Sequence, residues 1–519
     1  MQRDLEALSN REHDVLIVGG GIYGACLALE AATAGYRVAL VEKADFGSGT
    51  SFNSLRIIHG GLRYLQHLDF RRMRESIRAR REWLRFAPEL LQPTDFVMPT
   101  FGQGIKGYWA LATALRITDV VGWDRNRDLT GEAKVAGGRM LSRSEAEQVF
   151  GRFEIEGFNG AACWQDVVCS SSERLLIKVL MEASSRGARL ANYSPATRLL
   201  VESDRVVGAE IRDTESGREY TVKAKHVINS AGPWATGLLK SLDDAITQPA
   251  VVYSRAFNLI VRNLPVSAAI GIPVPRRGKD QDAIISKGTN TYFLLPWNGL
   301  TLIGSKHISE YSSTPGGTVS EEAIESLLGE INGKLSGRKI HRDDVAGVLA
   351  GWLPEAGPGN PGQDPVLEKH TRIFDHARLD GISGLTTVIG VKWTTAREVA
   401  REVLAGLPLS RAQQATDLDL RDGSERMEGA GSVGSKQMVE DQETTGMDAV
   451  RAAKTEMART LSDFVLRRSD LWLSPFLDRT ALAECSKWLS TELDWNEDQQ
   501  RNQVDHLLET LQPARYTLE

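Results

Sequence analysis

The hydrophobic pattern of the chain begins with two short apolar runs on either side of a glycine-rich turn. Asp14–Val18 (DVLIV) and Arg37–Val41 (RVALV) are rich in β-branched residues and are typical of buried strands. Between them, GGGIYG leads into a helix-like stretch, Ala25–Ala34, which Gly35 closes as a C-cap. Strand, helix and strand in this order predict a βαβ unit and a parallel sheet.

Further along, the pattern predicts more strands and two contrasting helices. Leu65–Phe86 is predicted to be a strongly basic helix and Ile105–Gly122 an apolar one. Thr386–Ile389 is predicted to be another buried strand. Runs bounded by turn residues predict antiparallel strands at Lys225–Ser230, Phe257–Val261, Tyr292–Leu295 and Leu300–Gly304.

The end of the chain changes character. Residues 421–446 are rich in Gly, Ser and charge and have no periodicity, which predicts a linker. Ala452–Ser469 and Arg479–Leu493 follow with helical spacing of apolar residues. A small all-helical module is therefore expected after the linker.

Composition narrows the class of protein. The 519 residues, 41% hydrophobic and 25% charged, exclude a disordered or collagen-like chain and suggest about three domains. A net charge of -6 argues against nucleic acid as the main partner. Four cysteines without a C-x-x-C pair argue against a disulfide framework or a zinc site, so no metal is predicted. The polar N-terminus and the lack of a charge-free apolar run of about 18 residues predict a cytoplasmic protein without a membrane span.

A dinucleotide fingerprint lies at the first turn. Gly19, Gly21 and Gly24 form G-x-G-x-x-G between strand and helix, where glycines let the backbone approach a pyrophosphate at the helix N-terminus. Glu42 ends the second strand about 20 residues further on, where a carboxylate accepts hydrogen bonds from ribose hydroxyls. Together these features predict a dinucleotide cofactor, either NAD or FAD.

The residues after Glu42 favour FAD. A nicotinamide enzyme would be expected to continue with a further βαβ repeat, whereas residues 43–51 form a polar, glycine-rich loop. The backbone N–H groups and hydroxyls of such a loop suit a flavin dinucleotide that extends across the sheet.

From Asp45 onwards the chain resembles a known family, the FAD-dependent glycerol-3-phosphate dehydrogenases within the D-amino-acid oxidase-like flavoproteins. The motifs occur in family order: DFGSGTSFNSLRIIHGGLRYL at 45–65, NSAGPW at 229–234, FLLPW at 293–297, LIG at 302–304, GVKWTTAR at 390–397 and TEMARTLSDFVLRR at 455–468. The last motif is specific to this branch, and together the motifs cover most of the chain.

The resemblance implies a three-part fold and a reaction. It implies an α/β, Rossmann-like FAD domain of the GR2 type at 1–95, 155–245 and 346–420, an α+β antiparallel substrate domain at 96–154 and 246–345, a linker at 421–446 and an all-helical C-terminal domain at 447–519. In the implied reaction, hydride moves from a secondary alcohol carbon to flavin N5. The electrons then pass to a membrane quinone or to oxygen.

The resemblance also assigns residues to FAD. Gly19, Gly21, Gly24 and Glu42 are expected to bind its adenosine diphosphate half. The other expected cofactor contacts are Lys43, Thr50, Ser51, Ser54, Gly60, Gly61, Gly232, Gly390, Lys392, Trp393, Thr394 and Thr395. Because a positive charge near the flavin pyrimidine stabilises the reduced cofactor, Lys392 is also a catalytic candidate.

The remaining catalytic candidates surround the expected substrate. They are His59 as a base or a supporting donor, Arg63 and Tyr64 facing the substrate, Asn258, and His307 as a further base. Lys306 is a second candidate for contact with an anion. For each of them, an ordinary solvated or core side chain is the alternative interpretation.

Departures from the family pattern predict altered specificity. Leu353 replaces the arginine of a G-x-R-P motif, Asn258 replaces a histidine, Ala396 replaces a tyrosine, and residues 164–174 are rich in serine where an acidic pair is usual. A leucine cannot pair with phosphate, and an asparagine cannot act as a base near neutral pH. Arg255 is a candidate partial replacement for the missing arginine.

The basic helix has two interpretations. It carries Arg71, Arg72, Arg74, Arg78, Arg80, Arg81 and Arg85 beside an apolar stripe of Met73, Ile77 and Leu84. It is either a membrane-surface helix attracted to anionic lipid, with Tyr108, Trp109 and Trp123 nearby, or a helix neutralised by salt bridges.

Three functions stay under comparison. The leading one is an FAD-dependent dehydrogenase for a small polyol-like alcohol, with or without a phosphate, in the cytoplasm or on the inner face of the cytoplasmic membrane. An FAD-dependent amine or amino-acid oxidase would tolerate the loss of the histidine and the arginine better. A flavin-bound protein without catalytic activity is the third. The substrate, the electron acceptor and the oligomeric state, a homodimer included, are left open.

Overall fold

The computed structural model describes residues 1–102, 107–242, 246, 251–278, 288–312, 318–357, 363–409, 442–474 and 477–511. Within these residues the chain forms two large sheets, helices that cover them, and a C-terminal group of helices.

The first sheet contains the parallel βαβ unit that the sequence predicts. Its eight strands are β1 (His13–Val18), β2 (Val38–Val41), β7 (Arg189–Ala191), β8 (Ala196–Glu202), β9 (Arg205–Arg212), β10 (Glu219–Asn229), β16 (Arg372–Asp375) and β17 (Leu385–Ile389). β1 lies between β2 and β10 and is parallel to both, so Val18 is beside Val41 and Asn229. The carboxyl ends of these three strands therefore meet at one edge of the sheet.

The predicted direction of one strand is wrong. Lys225–Ser230, expected in an antiparallel ribbon, falls mainly in β10, which pairs in parallel with β1 and β17. A short run such as Val227-Ile228 is apolar in either kind of sheet and carries no signal of strand direction. The predicted strand Thr386–Ile389 is confirmed as part of β17.

Among the described residues, the second sheet has nine strands and is mostly antiparallel. They are β3 (Ile57–Ile58), β4 (Leu91–Thr100), β5 (Arg139–Leu141), β6 (Gly160–Cys169), β11 (Tyr253–Val261), β12 (Ala269–Pro275), β13 (Thr289–Trp297), β14 (Leu300–Ser312) and β15 (Val345–Pro354). Their order is β15-β11-β14-β13-β12-β4-β6-β3, with β5 paired to β6.

The expected domain ranges do not follow the sheets, because β3, the first half of β4, β6 and most of β15 lie in ranges expected for the FAD domain but belong to this second sheet. β6 lies after the boundary at 155 but pairs along its length with β4. β15 lies almost entirely after the boundary at 346 but pairs with β11 from Tyr253 to Val261. Backbone pairing, which a motif does not encode, decides the membership of both strands.

Helices cover both sheets. Ahead of the C-terminal module they are α1 (Leu5–Ser9), α2 (Ile22–Thr33), α3 (Phe70–Phe86), α4 (Tyr108–Val121), α5 (Arg143–Phe150), α6 (Ser172–Ser185), α7 (Ala235–Leu239), α8 (Glu321–Asn332), α9 (His376–Leu379) and α10 (Ala396–Ala405). In the part of the chain that the structure describes, no helix has the length and apolar character needed to cross a bilayer.

The basic helix α3 is largely neutralised by neighbouring acids. Its predicted apolar stripe is confirmed, since Met73 and Leu84 are buried. Arg74 and Arg81 both bind the carboxylate of Asp124, and the Arg81 pair measures 2.9 Å. These contacts favour the salt-bridge interpretation of the helix over a surface free to attract lipid.

The C-terminal module, residues 442–474 and 477–511, is helical as expected. Its helices are α11 (Gln442–Glu456), α12 (Leu461–Asp463), α13 (Arg479–Leu493) and α14 (Glu497–Thr510), with a π-helical turn at Phe464–Arg468. The expected helix Ala452–Ser469 is broken because Met457 has a left-handed φ of 55°. Of the predicted linker, 421–441 lies outside the described residues and 442–446 is helical.

Candidate active site

A cavity of about 990 Å³ lies between the two sheets, at the carboxyl ends of β1 and β2. It is at the upper end of the ~300–1,000 Å³ that is usual for small-molecule sites. The glycine turn and Glu42 form one end, and strands β11 to β14 with the inner face of α4 form the other. A cofactor bound at the turn would therefore extend toward the second sheet.

The glycine turn has the close contacts that a dinucleotide site requires. Gly19 has a φ of 107°, and a Cβ there would lie 2.7 Å from the Ser230 carbonyl oxygen. A Cβ on Gly24 would lie 1.8 Å from the carbonyl oxygen of Gly19, so only glycine lets α2 begin this close to the turn. The N-terminus of α2 points into the cavity, and Gly21 lines it.

Glu42 presents a carboxylate to the same end of the cavity. Its two oxygens accept the backbone N–H groups of Gly20 at 2.6 Å and Ala44 at 3.0 Å. Burial raises the pKa of Glu42, even though both hydrogen bonds oppose the shift. The Nζ of the neighbouring Lys43 lies 3.7 Å from the centre of the Trp234 ring.

The flavin loop, residues 45–56, forms one wall of the cavity. Thr50 and Ser54 line it, as does Ser51, whose hydroxyl accepts the Ile22 N–H at 2.9 Å. Thr50 Oγ1 accepts the Trp352 N–H at 3.2 Å and so connects the loop to β15. The loop therefore bridges the dinucleotide turn and the second sheet.

The segment after β17 is held against the turn by Tyr23, a residue that sequence reasoning missed. A Cβ on Gly390 would lie 2.0 Å from the Tyr23 ring, so glycine is required there. The Tyr23 hydroxyl donates to the Lys392 carbonyl at 2.8 Å and accepts the Lys392 N–H at 3.0 Å. Gly390, Lys392, Trp393 and Thr394 line the cavity, together with Gly232 on the neighbouring turn. In the sequence, the place of Tyr23 within the glycine motif G-G-G-I-Y-G is the feature that could have identified it.

Lys392 lies beside two candidates from the loop after β3. Its Nζ is 4.2 Å from the centre of the Tyr64 ring. Burial lowers the pKa of Lys392 to about 8, with further lowering by Arg72 and Arg63. Arg63 and Tyr64 belong to a 3-10 turn, Leu62–His67, which begins at Gly61, where φ is 85°. Lys392, Arg63 and Arg72 all line this part of the cavity, and Asp69 forms an ion pair with Arg72.

His307 faces the cavity from β14 and is neutral. Burial lowers its pKa to about 4, and the charges of Arg63 and Arg276 add to the effect. Its Nδ1 is buried and has no hydrogen-bond partner among the described residues. Arg276, at the end of β12, also lines the cavity and donates to the Pro365 carbonyl at 2.9 Å. No motif pointed to Arg276.

His59 is half-exposed at the cavity wall and is supported from behind by two residues that the sequence reasoning did not assign. Its Nδ1 is 3.9 Å from Asp166 Oδ2, and Asp166 also binds Arg80 at 2.6 Å. Burial by itself raises the pKa of Asp166, but His59 and Arg80 lower that pKa below its usual value. A Cβ on Gly60 would lie 2.3 Å from Arg80 Nη1, so Gly60 faces Arg80, while Gly61 lines the cavity.

Asn258 lies at the cavity in a fixed orientation. Its amide donates to the Asn53 carbonyl at 3.3 Å, and its oxygen accepts the Ser305 hydroxyl at 2.6 Å. The side chain is buried and joins β11, β14 and the flavin loop. Asn258 therefore positions backbone and does not offer a proton acceptor comparable to histidine.

Several candidates lie away from the cavity. Gly24 and Thr395 are absent from its wall, the first under the turn and the second at the start of α10. Lys306 binds Glu330 at 2.7 Å, and Arg255 stacks on Trp352 at 4.7 Å, so neither expected anion contact is confirmed. Side chains alternate across a strand, so Lys306 faces away when His307 faces the cavity.

The residues present fit FAD. Glycines at which a Cβ would collide with neighbouring atoms lie along a path from the N-terminus of α2 to the segment at Gly390. The carboxylate of Glu42 is at the end where the ribose hydroxyls would bind, and the Lys392 ammonium is near the end where the isoalloxazine would lie.

Comparison with known proteins agrees with this geometry. Residues 14–398 match the family model of the FAD dependent oxidoreductases, DAO. The chain is 30% identical over 411 residues to a glycerol-3-phosphate dehydrogenase of Synechocystis sp., covering 78% of this chain and 71% of that protein. It is 31% identical over 413 residues to the mitochondrial glycerol-3-phosphate dehydrogenase of Macaca fascicularis, but this chain spans only 52% of that relative. The X-ray structure of the glycerol-3-phosphate dehydrogenase from Bacillus halodurans complexed with FAD has the same fold, with a TM-score of 0.68, 21% identity and coverage of 98% and 96% of the two chains.

Proposed function

The chain belongs to the DAO family of FAD-dependent oxidoreductases, and from that membership we propose that it oxidises the secondary alcohol of a small, phosphorylated, polyol-like substrate. It is an FAD-dependent oxidoreductase similar to glycerol-3-phosphate dehydrogenases. When bound, FAD supplies the group that accepts the hydride. What we propose beyond this is the class of substrate, the specificity for it and the electron acceptor.

The observation that carries the proposal is a neutral imidazole among cations. Burial lowers the pKa of His307 to about 4, so at neutral pH its imidazole is uncharged and a ring nitrogen can accept a hydrogen bond from the substrate alcohol. Arg63 and Arg276 lie near enough to lower that pKa, and both line the same cavity. Guanidinium groups bind phosphate oxygens with two hydrogen bonds, which would hold the alcohol end near His307.

The same residues support altered specificity. Leu353 is half-buried in the cavity wall, where it offers no charge to an anion. Arg276 directly follows β12, which three other strands separate from β15 in the second sheet. A phosphate bound by Arg63 and Arg276 would therefore be displaced from a site centred on position 353. We propose a phosphorylated alcohol of different length or branching from glycerol 3-phosphate.

Anaerobic reduction of the bound flavin by a panel of donors tests this proposal. The panel contains glycerol 3-phosphate, longer phosphorylated polyols, glycerol and small amines, and the measurement is bleaching of the flavin absorbance. We expect bleaching by phosphorylated alcohols, with glycerol 3-phosphate slower than the best of them. Bleaching by amines alone would show that the amine-oxidase alternative is right, and an intact flavin band with every donor would favour a non-catalytic protein.

The charge in the cavity argues against the amine alternative. Lys392, Arg63 and Arg276 line the cavity, and an alkylammonium substrate would be repelled by them. Asp364 and Glu368 also line it, but Asp364 accepts from Asn290 at 2.7 Å and Glu368 from the Lys369 N–H at 2.8 Å. Both carboxylates therefore already accept hydrogen bonds from neighbouring residues, which leaves them less available to a cationic substrate.

We also propose that an apolar electron acceptor such as a quinone reaches the cavity at a membrane surface. Trp109, Val120 and Trp123 are 80%, 73% and 77% exposed on or next to the outer face of α4. On its inner face, Leu111 and Leu115 line the cavity. Exposed tryptophans are typical of proteins whose surface lies at a membrane interface. One helix would then contact both the lipid and the cavity.

Replacement of Trp109, Val120 and Trp123 by serine is expected to abolish co-sedimentation with vesicles of anionic lipid, because it removes the apolar contact with the bilayer. Co-sedimentation at several salt concentrations measures the binding. The matched control is Leu379→Ser, which removes a side chain that is 53% exposed elsewhere. Equal binding of wild type and the triple variant would contradict the membrane proposal.

A further inference from the structure

The C-terminal module contacts the back of the flavin loop through buried ion pairs. Asp45, the first residue of the loop, accepts from Arg468 through both carboxylate oxygens at 2.8 Å, and from Arg467 Nε at 2.5 Å. The three side chains are 1%, 0% and 4% exposed, respectively. Burial by itself raises the pKa of Asp45, but Arg468 and Arg467 lower that pKa to about 2, so the carboxylate stays ionised.

The two arginines are themselves held by the C-terminal module. Arg467 Nη2 donates to Asp463 Oδ1 at 2.7 Å, and Arg468 Nη2 donates to the Glu456 carbonyl at 3.0 Å. Both acceptors are on the same module. The guanidinium groups are therefore positioned before they meet Asp45, and their contact with the loop depends on where the module lies.

A second contact lies further along the flavin loop. The Phe52 ring packs on Trp472 with centroids 5.6 Å apart, and Trp472 packs on Trp297 at 5.9 Å. One apolar core joins the second sheet to the C-terminal helices, and Phe52, Phe464 and Trp472 all belong to it. The module thus holds the start of the loop by charge and its middle by apolar packing.

The residues next to Asp45 contact the dinucleotide end of the cavity. The Ala44 N–H donates to Glu42 Oε1 at 3.0 Å. A Cβ on Gly20 would lie 2.6 Å from the Phe46 ring and 2.9 Å from Glu42, so these groups are in close packing. A shift of Asp45 would move both neighbours and so disturb the Glu42 carboxylate and the glycine turn.

From these contacts we propose that Arg467 and Arg468 are cofactor-positioning residues, and that FAD and the docked C-terminal module stabilise each other. Binding of FAD requires the flavin loop in one conformation, and the ion pairs hold that conformation beforehand. Since coupling between two sites is reciprocal, FAD must in turn strengthen the docking of the module. The inference rests on FAD binding and is independent of the identity of the substrate.

Hydrogen exchange on the wild-type protein tests the reciprocal effect without any substitution. FAD is expected to slow amide exchange in residues 456–470 of the module, which never line the cavity, while the outer helix α14 is unchanged. Equal exchange in residues 456–470 with and without FAD would overturn the proposal. The result says nothing about turnover, so it is distinct from the test of the substrate.

The variants Arg468→Gln and Arg468→Lys test the ion pair itself. Arg468→Gln is expected to weaken FAD binding by about 5- to 150-fold, the usual range for coupled sites, and Arg468→Lys to recover part of the loss. The matched control is Arg459→Gln. It removes an ion pair between Arg459 of the same module and Glu215, 2.7 Å apart, which lies away from the flavin loop. Titration of the apoprotein with FAD measures affinity, and the melting temperature without FAD measures folding. Unchanged FAD affinity in a folded Arg468→Gln protein would refute the inference; if that variant does not fold, the exchange experiment decides.

Discussion

Arg63→Met is expected to lower kcat/KM for a phosphorylated alcohol by about 10²-fold, mainly through KM. A hydrogen bond to a charged partner contributes about 1.5–3 kcal/mol, or about 10- to 150-fold, and the expected change lies in the upper part of this range. Arg63 lines the cavity and lowers the pKa of both His307 and Lys392, so its charge acts where the substrate would bind. Steady-state kinetics with the phosphorylated alcohol and with its uncharged parent measure the effect.

The matched control for Arg63 is Arg71→Met. Arg71 lies on α3, forms an ion pair with Glu75 and is 90% exposed, and it does not line the cavity. We expect it to leave KM unchanged. Arg276→Met should act in the same direction as Arg63→Met. An equal loss for the charged and the uncharged alcohol would indicate that Arg63 supports the fold and does not bind the anion.

Lys392→Met is expected to slow flavin reduction by about 10²–10³-fold, the effect of removing one preorganised electrostatic donor. The Lys392 ammonium lines the cavity and would place positive charge near the isoalloxazine, the part of FAD that gains electrons. The pKa of Lys392 is about 8, below its usual value, so the charged form is lost as pH rises through 8. In the wild type, kcat/KM should therefore fall above about pH 8, and the variant should lack that alkaline limb. Stopped-flow reduction across pH measures both.

Lys392→Arg separates charge from shape. Because arginine stays protonated, the alkaline limb should disappear while much of the rate is kept. Arg63→Met should move the limb to higher pH, since Arg63 is one of the charges that lower the pKa of Lys392. A limb that stays near pH 8 in Lys392→Arg would assign the titration to another group.

Much of the dinucleotide end could be read from the sequence. Gly19, Gly21 and Glu42 line one end of the cavity, as their spacing predicts. Local chemistry explains this success, because a strand, a tight glycine turn and a helix follow one another in the chain. Glycine is required by positive φ and by contacts of a few ångströms, and both constraints are visible in a short motif.

The substrate end was less accessible to sequence reasoning. Arg255 and Lys306 were expected to contact an anionic substrate, yet neither lines the cavity. Arg276, which does line it, belongs to no motif. Which face of a strand meets the cavity depends on register, and a shift of one residue reverses every side chain.

The sequence by itself determined the cofactor fold: the βαβ unit, the glycine turn, the acid that ends β2 and the helical character of the tail all follow from local periodicity and composition. Only the tertiary structure decided which charges share a space. Asp166 with Arg80, Asp45 with Arg467 and Arg468, and His307 with Arg276 are brought together from distant parts of the chain. The physical reason is that charge pairing and pKa depend on distance and burial, and neither is fixed until the sheets and the C-terminal module have packed.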